Sequence, residues 1–170
     1  MLCEAHRSRL SLHYAIDTER PEIQDLEKTG LLKTVSSQEI DDLSGWRVDG
    51  PGLYIGYPGN EAFVIRPDTP LPDGPKYIHP KGEPNHVFVP PGLDLAKAQD
   101  LWITEGELKA LAGSLQGLPI VALSGVWSWK TAGEEASLLA KGEKLKDSEA
   151  LLSELAQVDW AGKRINLLYD

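Results

Sequence analysis

Two acidic residues stand where predicted strands end. Glu105 follows the apolar run Leu101–Thr104, and Asp170 follows the run Arg164–Tyr169. The carboxyl ends of parallel strands meet at one edge of a sheet, so we expect both carboxylates at that edge. Carboxylate oxygens are hard ligands suited to Mg²⁺, and the pair predicts metal-assisted phosphoryl transfer. A glutamate that opens a helix is also explained by its favourable interaction with the helix dipole, and this alternative stays open.

Residues 94–170 carry the pattern that would position these carboxylates. Apolar residues in Gly106–Gln116 recur at helical spacing, and Gly117 follows at the place where a helix ends. A second strand is predicted at Pro119–Leu123, with its end at Ser124-Gly125. Further helices are expected at about 134–140 and 147–157. Strands that alternate with helices predict a Rossmann-like α/β fold with a parallel sheet.

The first 93 residues predict a small mixed α+β subdomain. Residues 1–45 favour short helices, one of them opened by the capping box Ser36 to Glu39. Residues 46–93 are rich in proline and predict a β-rich antiparallel unit. Its expected strands are Gly52–Tyr57, Ala62–Arg66, Lys76–Ile78 and His86–Val89. We therefore divide the chain into segments 1–45, 46–93 and 94–170.

The cysteine count, the apolar runs and the net charge of the chain exclude several classes of protein. The chain has 170 residues, a formal net charge of −9 and a single cysteine, Cys3. One cysteine excludes a disulfide within the chain and a cysteine-based zinc site. No apolar run approaches the roughly 20 residues of a membrane span, and the first residues lack signal-peptide order. We expect a cytoplasmic protein with no membrane partner, whose acidity weighs against strong DNA binding by this chain alone.

The loop after the second strand contains two tryptophans. Gly125–Thr131 superficially resembles a phosphate-binding loop, but Trp129 stands where that loop requires glycine. Trp127 and Trp129 either stack on nucleic-acid bases or pack against the edge of the sheet. Both interpretations remain open from the sequence.

Three potential metal ligands occur in a proline-broken segment. They are His79, Glu83 and His86. No fourth ligand is apparent, so we predict a polar surface turn there rather than a metal site.

The segment around Glu105 resembles a known domain. Thr104-Glu-Gly-Glu-Leu-Lys-Ala-Leu111 resembles the first motif of the topoisomerase–primase (TOPRIM) domain. Ile165-Asn-Leu-Leu-Tyr-Asp170 resembles the start of that domain's Asp-x-Asp motif. The segment 76–90 is similar to the one that precedes the domain in bacterial-type primases.

The order of motifs resembles an uncharacterised domain family of phage and plasmid replication proteins. The matching motifs, spread over about residues 50–170, are Arg66-Pro-Asp68, Lys76-Tyr77, Glu105-Gly-Glu107 and Gly125-Val-Trp-Ser-Trp129. The resemblance implies a primase-like protein that performs Mg²⁺-dependent (or Mn²⁺-dependent) nucleotidyl transfer. Its implied partners are single-stranded DNA, nucleotides and a replicative helicase.

The resemblance also implies roles for individual residues. Glu105 would be a metal ligand or general acid/base, and Asp170 a Mg²⁺ ligand. The basic residues that would position phosphates are Arg66, Lys76, Lys109 and Lys130. Bacterial-type primases have an acidic residue at the position of Lys109.

The sequence stops at the first aspartate of Asp-x-Asp. The second aspartate, the next helix and the fourth strand of the usual domain are absent, so we expect an incomplete, truncated TOPRIM sheet. Activity of this chain alone is therefore left open. Two alternatives remain: a non-catalytic module that binds single-stranded DNA or a helicase, and a TOPRIM-type nuclease.

Overall fold

The structure is a computed structural model that describes residues 1–72, 74–125, 128–129 and 151–169. Its contacts divide the chain into two compact units, residues 1–83 and 84–170. We describe each unit by itself.

The first unit combines three helices with an antiparallel sheet. The helices are α1 (Glu4–Tyr14), α2 (Pro21–Lys28) and α3 (Ser37–Ser44). The strands are β1 (Leu32–Val35), β2 (Gly52–Gly56) and β3 (Phe63–Pro67). Strand β2 lies between β1 and β3 and pairs antiparallel with both.

Helix α3 has the local signals that the sequence predicts. The Ser36 hydroxyl accepts the backbone N–H of Glu39, and the Glu39 carboxylate accepts the backbone N–H of Ser36. These two bonds satisfy donors that the first turn of a helix leaves free. Gly45 ends the helix at φ 71°, a conformation that costs glycine little. The capping-box prediction is confirmed.

Strand β1 is an element that the sequence analysis did not predict within 1–45. Leu32 and Val35 are fully buried, and Leu32 lies opposite Ile55 of β2. Four residues are too few to show a period-2 pattern, so the partner strand decides this conformation. Residues 1–45 therefore contain the short helices that the sequence predicts, with β1 between α2 and α3.

The second unit contains a parallel sheet. Its strands are β4 (Asp100–Glu105), β5 (Ile120–Leu123) and β6 (Arg164–Leu168), in the order β5-β4-β6. Both neighbours run parallel to β4. Its helices within the described residues are α4 (Glu107–Leu115) and α5 (Ser153–Ala156). The α/β class that the sequence predicts is confirmed for this unit.

Helix α4 packs as its apolar spacing predicts. Leu108 and Leu111 are buried, whereas Leu115 is only partly buried. Gly117 lies just past the end, and its N–H bonds to the carbonyl of Ser114. The helix predicted at about 134–140 lies outside the described residues, and α5 occupies part of the one expected at 147–157.

The strands predicted at Lys76–Ile78 and His86–Val89 each form only a single β-bridge. Ile78 pairs with Ile65 of β3, and Phe88 pairs with Ala122 of β5. Because Phe88 joins β5, the segment from Pro84 onward belongs to the second unit. The contacts thus group the chain differently from the three sequence segments.

No helix among the described residues is both long and apolar enough to cross a membrane.

Candidate functional site

Glu105 is the last residue of the central strand β4. It lies level with Leu123, the last residue of β5, in a parallel register. Its side chain is exposed and makes no hydrogen bond or ion pair within the part of the chain that the structure describes. The predicted position of this carboxylate, at the carboxyl edge of a parallel sheet, is confirmed.

Gly106 turns the chain sharply after Glu105. It has φ 93° and ψ 131°, a combination essentially restricted to glycine. A Cβ atom built at this position would meet no heavy atom of the described residues within 4 Å, apart from those of its neighbours in the chain and the helix. The Gly106 N–H also donates to the carbonyl oxygen of Leu123 at 3.1 Å, which ties the turn to β5. The turn therefore leaves open space at Gly106, the residue after Glu105.

Glu107, rather than Glu105, occupies the first turn of α4. It is 2% exposed and follows the N-cap residue Gly106, whereas Glu105 precedes that residue. An acidic side chain in a first turn is stabilised by the helix dipole. Interaction with the helix dipole, the alternative explanation for a glutamate that opens a helix, therefore applies to Glu107. It does not apply to Glu105, which precedes the helix.

Tyr169 is a neighbour of Glu105 that sequence reasoning missed. Thr104 lies opposite Leu168 in the parallel register, and its hydroxyl donates to the Leu168 carbonyl at 2.9 Å. Burial, and then the charge of Glu105, raise the pKa of the Tyr169 hydroxyl. The phenol and the carboxylate therefore share one edge of the sheet, and the charge of Glu105 favours the neutral form of the phenol.

Ser124 lies one residue beyond β5 at the same edge. Its Oγ atom is buried and has no hydrogen-bond partner within the described ranges. A buried hydroxyl without a partner costs free energy, and such groups call for an explanation. The sequence identifies Ser124 as a strand end, but nothing in it signals an orphaned hydroxyl.

His86 forms a hydrogen-bonded pair with Glu154. The imidazole Nδ1 lies 2.7 Å from Oε1 of Glu154, and Ser153 Oγ lies 3.1 Å from the other carboxylate oxygen. The His86 side chain is 29% exposed and that of Glu154 is 20% exposed. The sequence predicts only a polar surface turn at His79, Glu83 and His86. It gives no signal for the contact between His86 and Glu154, which are 68 positions apart.

Two of the predicted phosphate-binding residues lie in the first unit. Arg66 donates from Nη1 to the hydroxyl oxygen of Tyr14 at 2.9 Å, and its guanidinium carbon lies 5.8 Å from the centre of the Tyr77 ring. The Nζ of Lys76 lies 5.8 Å from the centre of the same ring. Arg66 and Lys76 therefore share one aromatic neighbour, Tyr77.

The remaining predicted site residues belong to the second unit. Lys109 is partly buried in the first turns of α4. Trp129 is partly buried and packs against the core formed by residues such as Val121 and Leu152. The predicted residues Asp170, Lys130 and Trp127 lie outside the described residues.

The carboxyl edge offers one metal-ligating carboxylate within the described residues, that of Glu105. No group of three or more His, Cys, Asp or Glu side chains with metal-binding geometry occurs in residues 1–72, 74–125, 128–129 and 151–169. A single exposed carboxylate fits Mg²⁺, which is commonly held by one or two carboxylates, with substrate phosphates and water as its other ligands. The edge is thus suited to a cation that arrives with a phosphate-bearing substrate.

Comparison with known proteins relates part of the chain to a protein family. Residues 95–170 match the model of a family described as a domain of unknown function (DUF3854). No curated protein and no solved structure matches the chain. The matched segment contains the whole sheet β5-β4-β6 and Glu105, and therefore the second unit carries the chain's similarity to this family.

Proposed function

We propose that the chain is part of a DNA primase-like replication protein that catalyses Mg²⁺-dependent nucleotidyl transfer on single-stranded DNA. The observation that carries the proposal is the position of Glu105, exposed and unpaired among the described residues, at the carboxyl end of the central parallel strand. Ligands of parallel α/β sheets bind at this edge. Such a protein would act in the cytoplasm, with a TOPRIM-like sheet as its catalytic scaffold.

The residues at the edge have separate tasks in this proposal. Glu105 would hold Mg²⁺ or Mn²⁺, and Asp170 would be a second ligand. When bound, the cation would neutralise charge on the phosphates of the nucleotide. The Gly106 turn keeps the space beside Glu105 free for these phosphates, and Lys109 and Lys130 would add positive charge. Arg66 and Lys76 would contact nucleic-acid phosphates, and Trp127 would stack on bases.

Replacement of the Glu105 carboxylate tests the proposal. Glu105→Gln preserves size but removes the charge that a cation requires, so we expect a loss of at least about 100-fold in the rate of nucleotide incorporation. The assay follows incorporation of a labelled nucleotide on single-stranded DNA with Mg²⁺. Circular dichroism checks that the variant remains folded.

Glu61→Gln is the matched control. Glu61 is exposed in the β2–β3 turn, so its replacement should leave the rate unchanged. Full activity of the Glu105→Gln variant would refute the assignment. Cleavage of the labelled DNA in place of synthesis would identify a TOPRIM-type nuclease that uses the same carboxylate.

A second candidate is a module that binds single-stranded DNA, or a helicase, without catalysis. In the first unit the rings of Tyr54 and Phe63 stack with centroids 4.9 Å apart, and Lys33 Nζ lies 4.9 Å from the centre of the Tyr54 ring. Lys81 Nζ lies 4.8 Å from the centre of the Trp46 ring. Aromatic rings beside cations are typical of sequence-tolerant single-strand binding.

Fluorescence anisotropy with a labelled oligonucleotide distinguishes the two candidates. Salt-sensitive binding without nucleotide incorporation, weakened by Lys33→Gln but not by Lys28→Gln, would favour the binding module. Lys28 is a suitable control because it is exposed on α2 and forms only a surface ion pair with Asp25.

A further inference from the structure

The His86–Glu154 pair lies near the carboxyl edge of the sheet that carries Glu105. Phe88 and Ala122 exchange two backbone hydrogen bonds, of 2.9 and 3.0 Å, in an antiparallel bridge. The chain that leads into Phe88 therefore runs alongside β5 from its carboxyl end. His86 is two residues before Phe88, so the register places it next to the end of β5, where Ser124 lies.

The order of the strands sets the spacing of the polar groups at this edge. The Phe88 segment, β5 and β4 lie side by side, so two strand spacings, about 10 Å, separate the backbone near His86 from that of Glu105. The Ser124 hydroxyl, buried and without a partner in the described chain, belongs to the strand between them. In this register Glu105 shares the face of Leu123 and His86 shares that of Ser124, so a ligand held at Glu105 would have to cross the end of β5 to meet the imidazole.

Glu154 fixes the orientation and the tautomer of His86. The Glu154 carboxylate accepts the Nδ1–H of His86 at 2.7 Å and is itself held by the hydroxyl of Ser153. In the neutral imidazole the proton is then on Nδ1, which leaves a lone pair on Nε2. Nε2 has no hydrogen-bond partner within the described residues. A carboxylate-oriented imidazole with a free lone pair is the arrangement of a general base.

We propose that His86, positioned by Glu154, accepts the proton of the hydroxyl group that attacks the nucleotide. This inference rests on the nucleotidyl-transfer function proposed above. The hydroxyl proton passes to Nε2, and the hydroxyl oxygen forms a bond to the α-phosphorus. The bond from that phosphorus to the bridging oxygen breaks, and pyrophosphate leaves with the electron pair. The substrate class is therefore a nucleoside triphosphate together with a strand that ends in a free hydroxyl.

Steady-state kinetics of nucleotide incorporation test the role of His86. His86→Ala should lower kcat about 100-fold and change KM for the nucleotide by no more than about twofold, because a proton acceptor acts mainly in the transition state. Imidazole added to the buffer should restore part of kcat in His86→Ala but none in Glu105→Gln. His13→Ala is the control, since His13 is exposed at the end of α1.

Glu154→Ala tests whether Glu154 positions His86. It also provides a test that does not depend on the folding of His86→Ala. It keeps the imidazole but removes its partner, so we expect a loss in kcat of about 10-fold. Nitrogen-15 NMR of His86 gives a readout independent of activity: the wild type should show protonation at Nδ1, and Glu154→Ala should lose this preference.

The outcomes separate this inference from the proposed function. Loss of kcat in His86→Ala with imidazole rescue supports the inference. Full activity of His86→Ala, beside an inactive Glu105→Gln, overturns the role of His86 alone. Protonation of wild-type His86 at Nε2 overturns the positioning by Glu154. A wild-type protein that incorporates no nucleotide overturns both the proposed function and the inference.

Discussion

The two units place their motif carboxylates in contrasting surroundings. In the first unit, Asp68 of the Arg-Pro-Asp motif accepts hydrogen bonds from His6 Nε2, at 3.0 Å, and from Arg9. In the second unit, Glu105 of the Glu-Gly-Glu motif is exposed and has no such partner in the described chain. Both motifs contribute to one resemblance at the level of sequence, but of Asp68 and Glu105 only Glu105 has no hydrogen-bond partner among the described residues.

The contrast teaches that a charged residue in a motif can serve the fold rather than the reaction. His6 is fully buried, and its other nitrogen lies 2.7 Å from Thr34 Oγ1, which also accepts the backbone N–H of Cys3. This chain of bonds connects α1 to β1 and to the residue after β3. A buried polar network stabilises a fold only when each member has a partner. Asp68 therefore has a structural function here.

The largest effect on stability is expected from Asp68→Asn. This change removes the charge that His6 and Arg9 share, and we expect a loss of about 2–3 kcal/mol in the free energy of unfolding. Urea denaturation followed by circular dichroism measures it. Asp49→Asn, at an exposed position, is the control and should have no effect. Equal stability of the two variants would contradict the structural role of Asp68.

The pH dependence sharpens the same prediction. Burial alone would raise the pKa of Asp68, but the hydrogen bonds and charges of Arg9 and His6 outweigh it and hold that pKa below its ordinary value of 3.8. The stabilisation is therefore fully present above pH 3.8 and is lost as the pH falls through the lower pKa of the folded state. Denaturation at pH 7 and at pH 3 should show wild type and Asp68→Asn converging at the lower pH.

An intermediate effect is expected from Gly106→Ala in the second unit. The added methyl group meets no atom elsewhere in the described residues, so the cost comes from the backbone conformation and should be about 1–2 kcal/mol. Nucleotide incorporation should fall as well, because the turn positions Glu105. Gly125→Ala, at a position without a positive φ, should leave the denaturation midpoint unchanged. Wild-type stability of Gly106→Ala would show that the turn is unstrained.

The smallest effect is expected from Asp100→Asn, at the opposite edge of the same sheet. Arg164 of β6 donates from Nη2 to Asp100 of β4 at 2.8 Å, and the contact is exposed. Exposed ion pairs contribute little because water and salt screen them. We expect no measurable change in the urea midpoint and no change in activity. A clear fall in the urea midpoint or in activity would contradict the expectation that the Asp100–Arg164 pair contributes little.

Several features follow from the sequence alone because they depend on neighbours in the chain. The capping box of α3, the Gly117 end of α4 and the strand before Glu105 all involve contacts within a few residues. The parallel sheet follows from the alternation of strands and helices. The position of Glu105 at its carboxyl edge is therefore predictable, and the structure confirms it.

Other features were decided only by the tertiary structure because they join distant residues. Strand β1 requires β2 beside it, the Asp68 network joins residues 62 positions apart, and His86 meets Glu154 across 68 positions. Local sequence carries no signal for such pairs, since each depends on how whole elements pack. The sequence by itself determined which carboxylate ends the central strand. The tertiary structure decided that Asp68 is paired with His6 and Arg9, whereas Glu105 has no hydrogen-bond partner among the described residues.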